Sequence, residues 1–210
     1  MKNITLLLFC LSSFVISFSQ EKAITENGEE VILFDDGTWS YLNPDEVEKS
    51  EIPINPKAFK KDDKSSFLLK SSKFNIGFYI NPKVWTFQKA KANPEAEYEL
   101  MLKDGDLYGM IISEKVEIPL EALKNIAIKT ARASAPDLKL VKEEYRTVNG
   151  INVLMMQLNG TMQGIKFSYY GYYYSNENGT VQFVTYTSQN LIKGYEKECD
   201  KLLNGLIEIK

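Results

Sequence analysis

The stretch GIKFSYYGYYYSNENGTVQFVTYTS, residues 164–188, decides the fold of this chain. It contains two runs rich in aromatic and β-branched residues, 164–175 and 180–188, with Asn178-Gly179 between them. Such side chains favour strands, and Asn-Gly favours a tight turn between antiparallel strands. The sequence therefore predicts a long aromatic hairpin.

Alternation along these strands divides their side chains into two rows, because successive residues point to opposite faces of a sheet. One row contains Tyr170, Tyr172 and Tyr174 with Val181 and Phe183, and the other contains Phe167, Tyr169, Tyr173, Val184 and Tyr186. In one interpretation the strand is central, both rows are buried and the hydroxyls reach the rim. In the other, one row is partly uncovered and lines a groove for a lipid, glycan or peptide. The candidate ligand-binding residues are then Tyr170, Tyr172, Tyr174, Met162 and Gln163.

The rest of residues 74–210 has the pattern of an α+β domain dominated by antiparallel strands. The predicted elements, in chain order, are a strand at 74–80 ended by Asn81-Pro82, a hairpin of 97–103 and 107–115, a helix from Pro119 to Ala135, a hairpin of 143–148 and 151–158 around Asn149-Gly150, the aromatic hairpin, a helix within 191–206, and a closing strand at 206–209.

Three of these segments resemble the PsbP-like fold family, whose members include the photosystem II extrinsic protein, a Ran-binding nuclear transport factor and bacterial envelope lipoproteins. The resemblance rests on FYINPKVW at 78–85, VNGINV at 148–153 and the aromatic hairpin, and it covers residues 74–209. It implies an antiparallel β-sheet with helices packed on both faces, an α/β/α sandwich. It also implies a binding or accessory role and no catalysis, and no ligand-binding residue is transferred from the family.

Two segments precede this domain. Residues 20–42 carry two β-prone runs with Asn-Gly and Asp-Gly turn signals, and they resemble a short DGTW β-hairpin module of secreted proteins through residues 36–39 and Tyr41. A hairpin this small needs a covering partner, which makes Trp39 and Tyr41 candidate partner-binding residues. Residues 43–73 contain three prolines and mixed charges, a composition typical of a linker. Alternatively, the charged residues at 60–66 form a docking patch, but positive and negative charges are mixed there, which is more typical of an exposed linker.

The first nineteen residues have the composition of a secretory signal peptide. Lys2 precedes an apolar run, and Ser17 and Ser19 provide small residues for cleavage near Ser19/Gln20. The run is too short and too interrupted by serines to be a membrane span, so we expect no integral span after leader removal. Cys10 is an alternative lipid-attachment site, but the apolar run continues beyond it. The expected localisation is periplasmic or secreted.

Composition restricts the function classes. The chain has no histidine, which removes the commonest proton shuttle and a frequent metal ligand, so no metal and no cofactor is predicted. Loss of Lys2 with the leader changes the formal net charge from −3 to −4, which disfavours nucleic acid as a partner. Cys199 is then the one remaining cysteine. We expect it in the core, with a reactive thiol or an intermolecular disulfide as alternatives.

No group of residues specifies a reaction. The acid pairs Asp35/Asp36, Asp62/Asp63 and Glu143/Glu144 consist of neighbours that point to opposite faces of a strand, and the DGD turn at 104–106 lacks the other ligands of a calcium loop. We therefore predict no catalytic residues. The predicted function is an exported, non-enzymatic envelope protein that acts as a binding or accessory factor for a protein assembly. The alternatives are a carrier of an apolar small molecule or lipid in the tyrosine-lined groove, and an unrecognised enzyme.

Overall fold

The computed structural model describes residues 21–25, 28–35, 37–42, 51–91 and 93–209. The predicted leader, residues 1–19, and the first part of the predicted linker, residues 43–50, lie outside these ranges. The elements are β1 (Glu21–Ile24), β2 (Glu30–Leu33), β3 (Trp39–Tyr41), β4 (Ile54–Phe59), β5 (Phe67–Lys70), β6 (Ile76–Ile80), β7 (Trp85–Lys89), β8 (Tyr98–Leu102), β9 (Tyr108–Glu114), α1 (Leu120–Ser134), β10 (Lys139–Val148), β11 (Ile151–Met162), β12 (Ile165–Asn176), β13 (Gly179–Ser188), α2 (Ile192–Leu203) and β14 (Leu206–Glu208).

An eight-stranded sheet forms the centre of the molecule, in the order β4-β10-β11-β12-β13-β9-β8-β7. All neighbouring pairs are antiparallel except β4 and β10, which run parallel. Two of its tight turns place residues in the left-handed region, Asn149-Gly150 with φ of 50° and 89° and Gln163-Gly164 with φ of 51° and 81°. Asparagine and glycine tolerate this region well, which is why the first of these turns was readable from the sequence.

The two rows predicted for the aromatic hairpin are confirmed by the register of β12 and β13, in which Tyr172 lies opposite Phe183 and Tyr174 opposite Val181. Tyr170, Tyr172 and Tyr174 belong to one core cluster with α2 residues and with β6. The other row contributes to a second cluster under α1. The two helices therefore contact opposite faces of the sheet, and a second sheet, β14-β6-β5, lies on the α2 side.

Part of the predicted linker is folded. Residues 54–59 form β4, which pairs with β10, and residues 67–70 form β5, which pairs with β6. The linker prediction for these residues differs from the structure, because β4 is held by β10, about ninety residues later in the chain, and β5 is held by β6, the next strand. Pro56 is compatible with β4 because this strand lies at the edge of the sheet, where a missing N–H is tolerated.

The N-terminal segment forms a three-stranded antiparallel sheet, β1-β2-β3, where the sequence predicted a small hairpin of two strands. Trp39 lies directly opposite Leu33, and Tyr41 lies opposite Val31. Glu30 on β2 forms an ion pair with Lys129 on α1.

The helix predictions hold closely. Helix α1 begins immediately after Pro119 and ends before Ala135-Pro136. Cys199, on α2, is fully buried, which confirms the expectation of a core cysteine. Neither of the helices in the described ranges is long and apolar enough to cross a membrane.

Candidate functional site

The tyrosine row singled out by the sequence is part of the core. Tyr170, Tyr172 and Tyr174 are all buried, and Tyr172 has no exposed surface, 0%. Their hydroxyls lie at the boundary between the sheet and the C-terminal segment. The Tyr172 hydroxyl donates to Asn204 Oδ1 at 2.8 Å, and the Tyr174 hydroxyl donates to Glu208. The row is thus covered, and the partly open groove required by the carrier hypothesis is filled.

Arg146 on β10 is the centre of a polar network beneath this row, although only 4% of its side chain is exposed. Its Nε donates to Glu144 Oε1 at 2.6 Å, and its Nη1 donates to Asp200 Oδ1 at 2.8 Å and to the Tyr172 hydroxyl at 2.9 Å. Its Nη2 donates to the Tyr170 hydroxyl at 3.1 Å. The network joins the sheet to α2, and sequence reasoning missed it because its members are distant in the chain.

The electrostatics of this network keep its charges fixed. Burial opposes the charge of Arg146, but the neighbouring tyrosines and Asp200 outweigh burial and raise the pKa of the guanidinium. Burial also opposes the charge of Glu144, but hydrogen bonds from Arg146 and Asn55 prevail and lower its pKa. Burial raises the pKa of Tyr172. All three shifts move away from neutral pH, so these groups are suited to holding the fold together and poorly suited to exchanging protons near neutrality.

The two other predicted ligand-binding residues do not join the tyrosine row. Met162 packs with Leu138 and Phe167 in a cluster on the α1 side of the sheet, opposite the side that Tyr170 faces. Gln163 lies in the β11–β12 turn with φ of 51°. The structure therefore does not assemble the five residues into one site.

A second aromatic row, outside the predicted ligand-binding residues, is only half-buried. Tyr108, Tyr186 and Tyr169 lie side by side on β9, β13 and β12, with Met101 of β8 beside Tyr108. The rings of Tyr108 and Tyr186 are nearly parallel, with centroids 5.5 Å apart. The rings of Tyr169 and Tyr186 pack edge-to-face, with centroids 6.0 Å apart. The alternation of side chains along the aromatic hairpin predicted that Tyr169 and Tyr186 share a row. Tyr108 joins that row only through the pairing of β9 with β13.

The candidate partner-binding residues lie on the N-terminal sheet. Trp39 is 53% exposed and packs edge-on against Tyr41, with ring centroids 5.2 Å apart. Leu33 and Phe34 beside it are also exposed. The structure thus brings Trp39 and Tyr41 together and presents the indole to solvent.

A cleft of about 300 Å³ lies between the 62–65 loop, Trp85 and α2. Its charged side chains are partly satisfied by each other, since Glu198 accepts from Trp85 Nε1 at 3.3 Å and pairs with Lys201 at 3.2 Å. Across the described ranges, no group of three His, Cys, Asp or Glu side chains is arranged to hold a metal ion.

Comparison with solved structures identifies the architecture. The solution structure of cyanobacterial PsbP (CyanoP) from Synechocystis sp. PCC 6803 matches with a TM-score of 0.50 and 16% identity, over 68% of this chain and 91% of that chain. The fold is PsbP-like. The resemblance read from the sequence is therefore confirmed at the level of the fold, as a mixed structure of antiparallel sheets and two helices.

A more distant similarity is to LpqN, a protein involved in cell envelope biogenesis of Mycobacterium tuberculosis, with a TM-score of 0.42 and 7% identity over 69% of this chain and 90% of that chain. No protein-family model matches the chain, and no curated protein sequence matches it. At this level of identity, the PsbP-like similarity describes the fold alone.

Proposed function

We propose that this protein is exported and acts in the periplasm or outside the cell as a non-enzymatic accessory factor that binds an envelope protein assembly. The leader-like composition of residues 1–19 supports export, with cleavage near Ser19/Gln20. In this proposal the main body is a PsbP-like α/β/α sandwich that extends back to β4, and residues 20–42 form a separate binding module.

The observation that carries the proposal is the exposed aromatic face of the N-terminal sheet. Trp39 presents more than half of its surface to solvent, lies opposite Leu33 in the strand pair and packs edge-on against the Tyr41 ring. Tryptophan and tyrosine contribute disproportionately to protein interfaces, because they bury a large area at low entropic cost. A pre-positioned indole on a small sheet therefore favours a protein partner.

The test is site-specific photo-crosslinking in the protein's own host. A photoreactive amino acid replaces Phe34, beside the indole, in an otherwise unchanged chain and in a Trp39→Ser variant. We expect a discrete crosslinked envelope protein that Trp39→Ser removes. The matched control is Ile165→Ser, since Ile165 is 64% exposed at the β11–β12 turn and should leave the crosslink unchanged.

Fractionation of the same cells tests export. A chain found in the envelope or medium, shortened by about nineteen residues in its mass, is expected. Retention of the full-length chain in the cytoplasm, or a crosslink equally strong in the Trp39→Ser variant, would contradict the proposal.

A further inference from the structure

Strand β7 is an edge of the eight-stranded sheet with backbone groups that point away from the molecule. Val84 O accepts from Lys103 N at 2.9 Å, and Ala90 N donates to Glu97 O at 3.2 Å. Antiparallel ladders alternate, so the residues at 86 and 88 also pair with β8, whereas Phe87 and Lys89 direct their N–H and C=O groups outward. Among the described residues, no backbone group pairs with these four.

An apolar patch lies beside this open edge. Phe87 is 39% exposed and Phe67, on the edge strand β5, is 42% exposed. Their ring centroids are 5.1 Å apart. A strand added to β7 would place alternate side chains over these rings, which gives apolar contact in addition to main-chain hydrogen bonds.

The rim of the patch is basic. Four exposed lysines lie on or close to the two edge strands, namely Lys70 on β5, Lys89 on β7, and Lys83 and Lys91 two residues beyond the ends of β7. Three carboxylates of the adjacent β7–β8 hairpin, Glu95, Glu97 and Glu99, keep their charge, because the groups that donate to Glu97 and Glu99 are uncharged. Four lysines against three carboxylates leave an excess of positive charge. The local charge is therefore complementary to an acidic partner.

We propose that the β7 edge binds an extended acidic segment of another polypeptide by strand addition. Phe87 and Lys89 are two residues apart on β7 and therefore share one face of the sheet. On the matching face of the added segment, apolar residues would cover Phe87 and Phe67, and carboxylates between them would meet the lysines. A second copy of this chain fits less well, since β7 paired with β7 would bring Lys89 and Lys83 of both copies into one cluster. The surface is separate from Trp39, so this inference goes beyond the proposed function and does not depend on it.

The test uses fluorescence anisotropy with the purified protein and a fluorescein-labelled peptide of repeating Val-Thr-Glu-Thr, in which valine and glutamate share one face of an extended strand. A peptide of the same length with lysine in place of each glutamate is the charge control. We expect the glutamate peptide to bind and the lysine peptide not to bind, with affinity that falls as salt rises.

Two substitutions at Lys89 distinguish the contribution of charge to peptide binding from the contribution of main-chain pairing. Lys89→Gln removes one charge and should weaken binding about 2–5-fold. Lys89→Pro also removes the outward N–H and places a ring at the edge, so it should weaken binding more than about tenfold while leaving the bonds to β8 intact. The matched control is Lys139→Gln, a loss of charge at an exposed position on β10, which should have no effect.

Backbone protection identifies the binding edge directly. Hydrogen exchange at the amides of Phe87 and Lys89 should slow in the presence of the glutamate peptide. Equal binding by both peptides, equal affinity of the Lys89→Gln and Lys89→Pro variants, or protection confined to another strand would overturn the inference. A dimer that Lys89→Pro dissociates, with no peptide binding, would also overturn it, in favour of a second copy. A Trp39→Ser variant should bind the peptide normally, which keeps this test independent of the proposed function.

Discussion

Replacing Tyr172 with phenylalanine tests whether the buried polar network stabilises the fold. The change deletes one oxygen atom that accepts from Arg146 Nη1 at 2.9 Å and donates to Asn204 Oδ1 at 2.8 Å. Both former partners are then left in a buried setting, where a lost hydrogen bond costs about 1–3 kcal/mol and one to a charged group lies at the upper end. We expect Tyr172→Phe to lower the free energy of unfolding by about 2–4 kcal/mol.

Tyr173 provides a matched control at the adjacent position. It is also buried, but it faces the α1 side of the sheet, where burial first and then the neighbouring Tyr169 raise the pKa of Tyr173. Within the described ranges its hydroxyl makes no hydrogen bond. Tyr173→Phe should therefore change the free energy of unfolding by less than about 0.5 kcal/mol.

The assay is equilibrium unfolding in urea, followed by tryptophan fluorescence, with thermal unfolding as a second measurement. For a chain of this size, a loss of 2–4 kcal/mol corresponds to a decrease in Tm of roughly 5–15 °C. If the two variants were equally stable, the hydroxyl of Tyr172 would contribute nothing beyond its ring, and the network would not be a stabilising feature.

Three further outcomes are expected. Cys199 should not react with a thiol reagent until the protein unfolds, because burial raises its pKa to about 12; rapid labelling of the folded protein would contradict this. Gly205→Ala should destabilise by at least about 1–3 kcal/mol in urea unfolding, since its Cβ would lie 1.9 Å from the Tyr79 carbonyl oxygen, whereas Gly194→Ala in α2 has open space and should stabilise by about 0.5–1 kcal/mol. Stability should fall as the pH decreases below the ordinary glutamate value of 4.5, because the folded-state pKa of Glu144 is lowered; a Glu144→Gln variant should show a flatter decline when its unfolding is measured across that range.

The sequence predicted those parts of the fold in which the signal is local. Alternation and turn residues located β10 to β13, and Pro119 and Ala135-Pro136 located α1. These features depend on residues a few positions apart, so a window along the chain contains them. The resemblance to the PsbP-like family came from the same segments.

The parts that were missed depend on contacts between distant residues. Strand β4 has little pattern of its own, and it is a strand because β10, about ninety residues later, offers a free edge. The sequence of β12 was likewise insufficient to decide whether the row of Tyr170, Tyr172 and Tyr174 is buried or lines a groove. Arg146 and Asp200 converge on Tyr170 and Tyr172 only after the sheet and α2 have assembled, and this convergence turns a candidate binding row into core.

The distribution of polar and apolar groups in the folded chain favours binding at the periphery. The polar side chains around Arg146 point inward and form hydrogen bonds with one another, and these bonds connect α2 to the sheet. Few of their donors and acceptors are left to bind a ligand. Exposed aromatic side chains instead lie on edge strands, with Trp39 on β3 and Phe87 on β7. A protein arranged in this way can change its partners through edge residues without disturbing its core, which is why the Trp39→Ser and Lys89→Pro variants should lose binding and yet unfold at the same urea concentration as the natural chain.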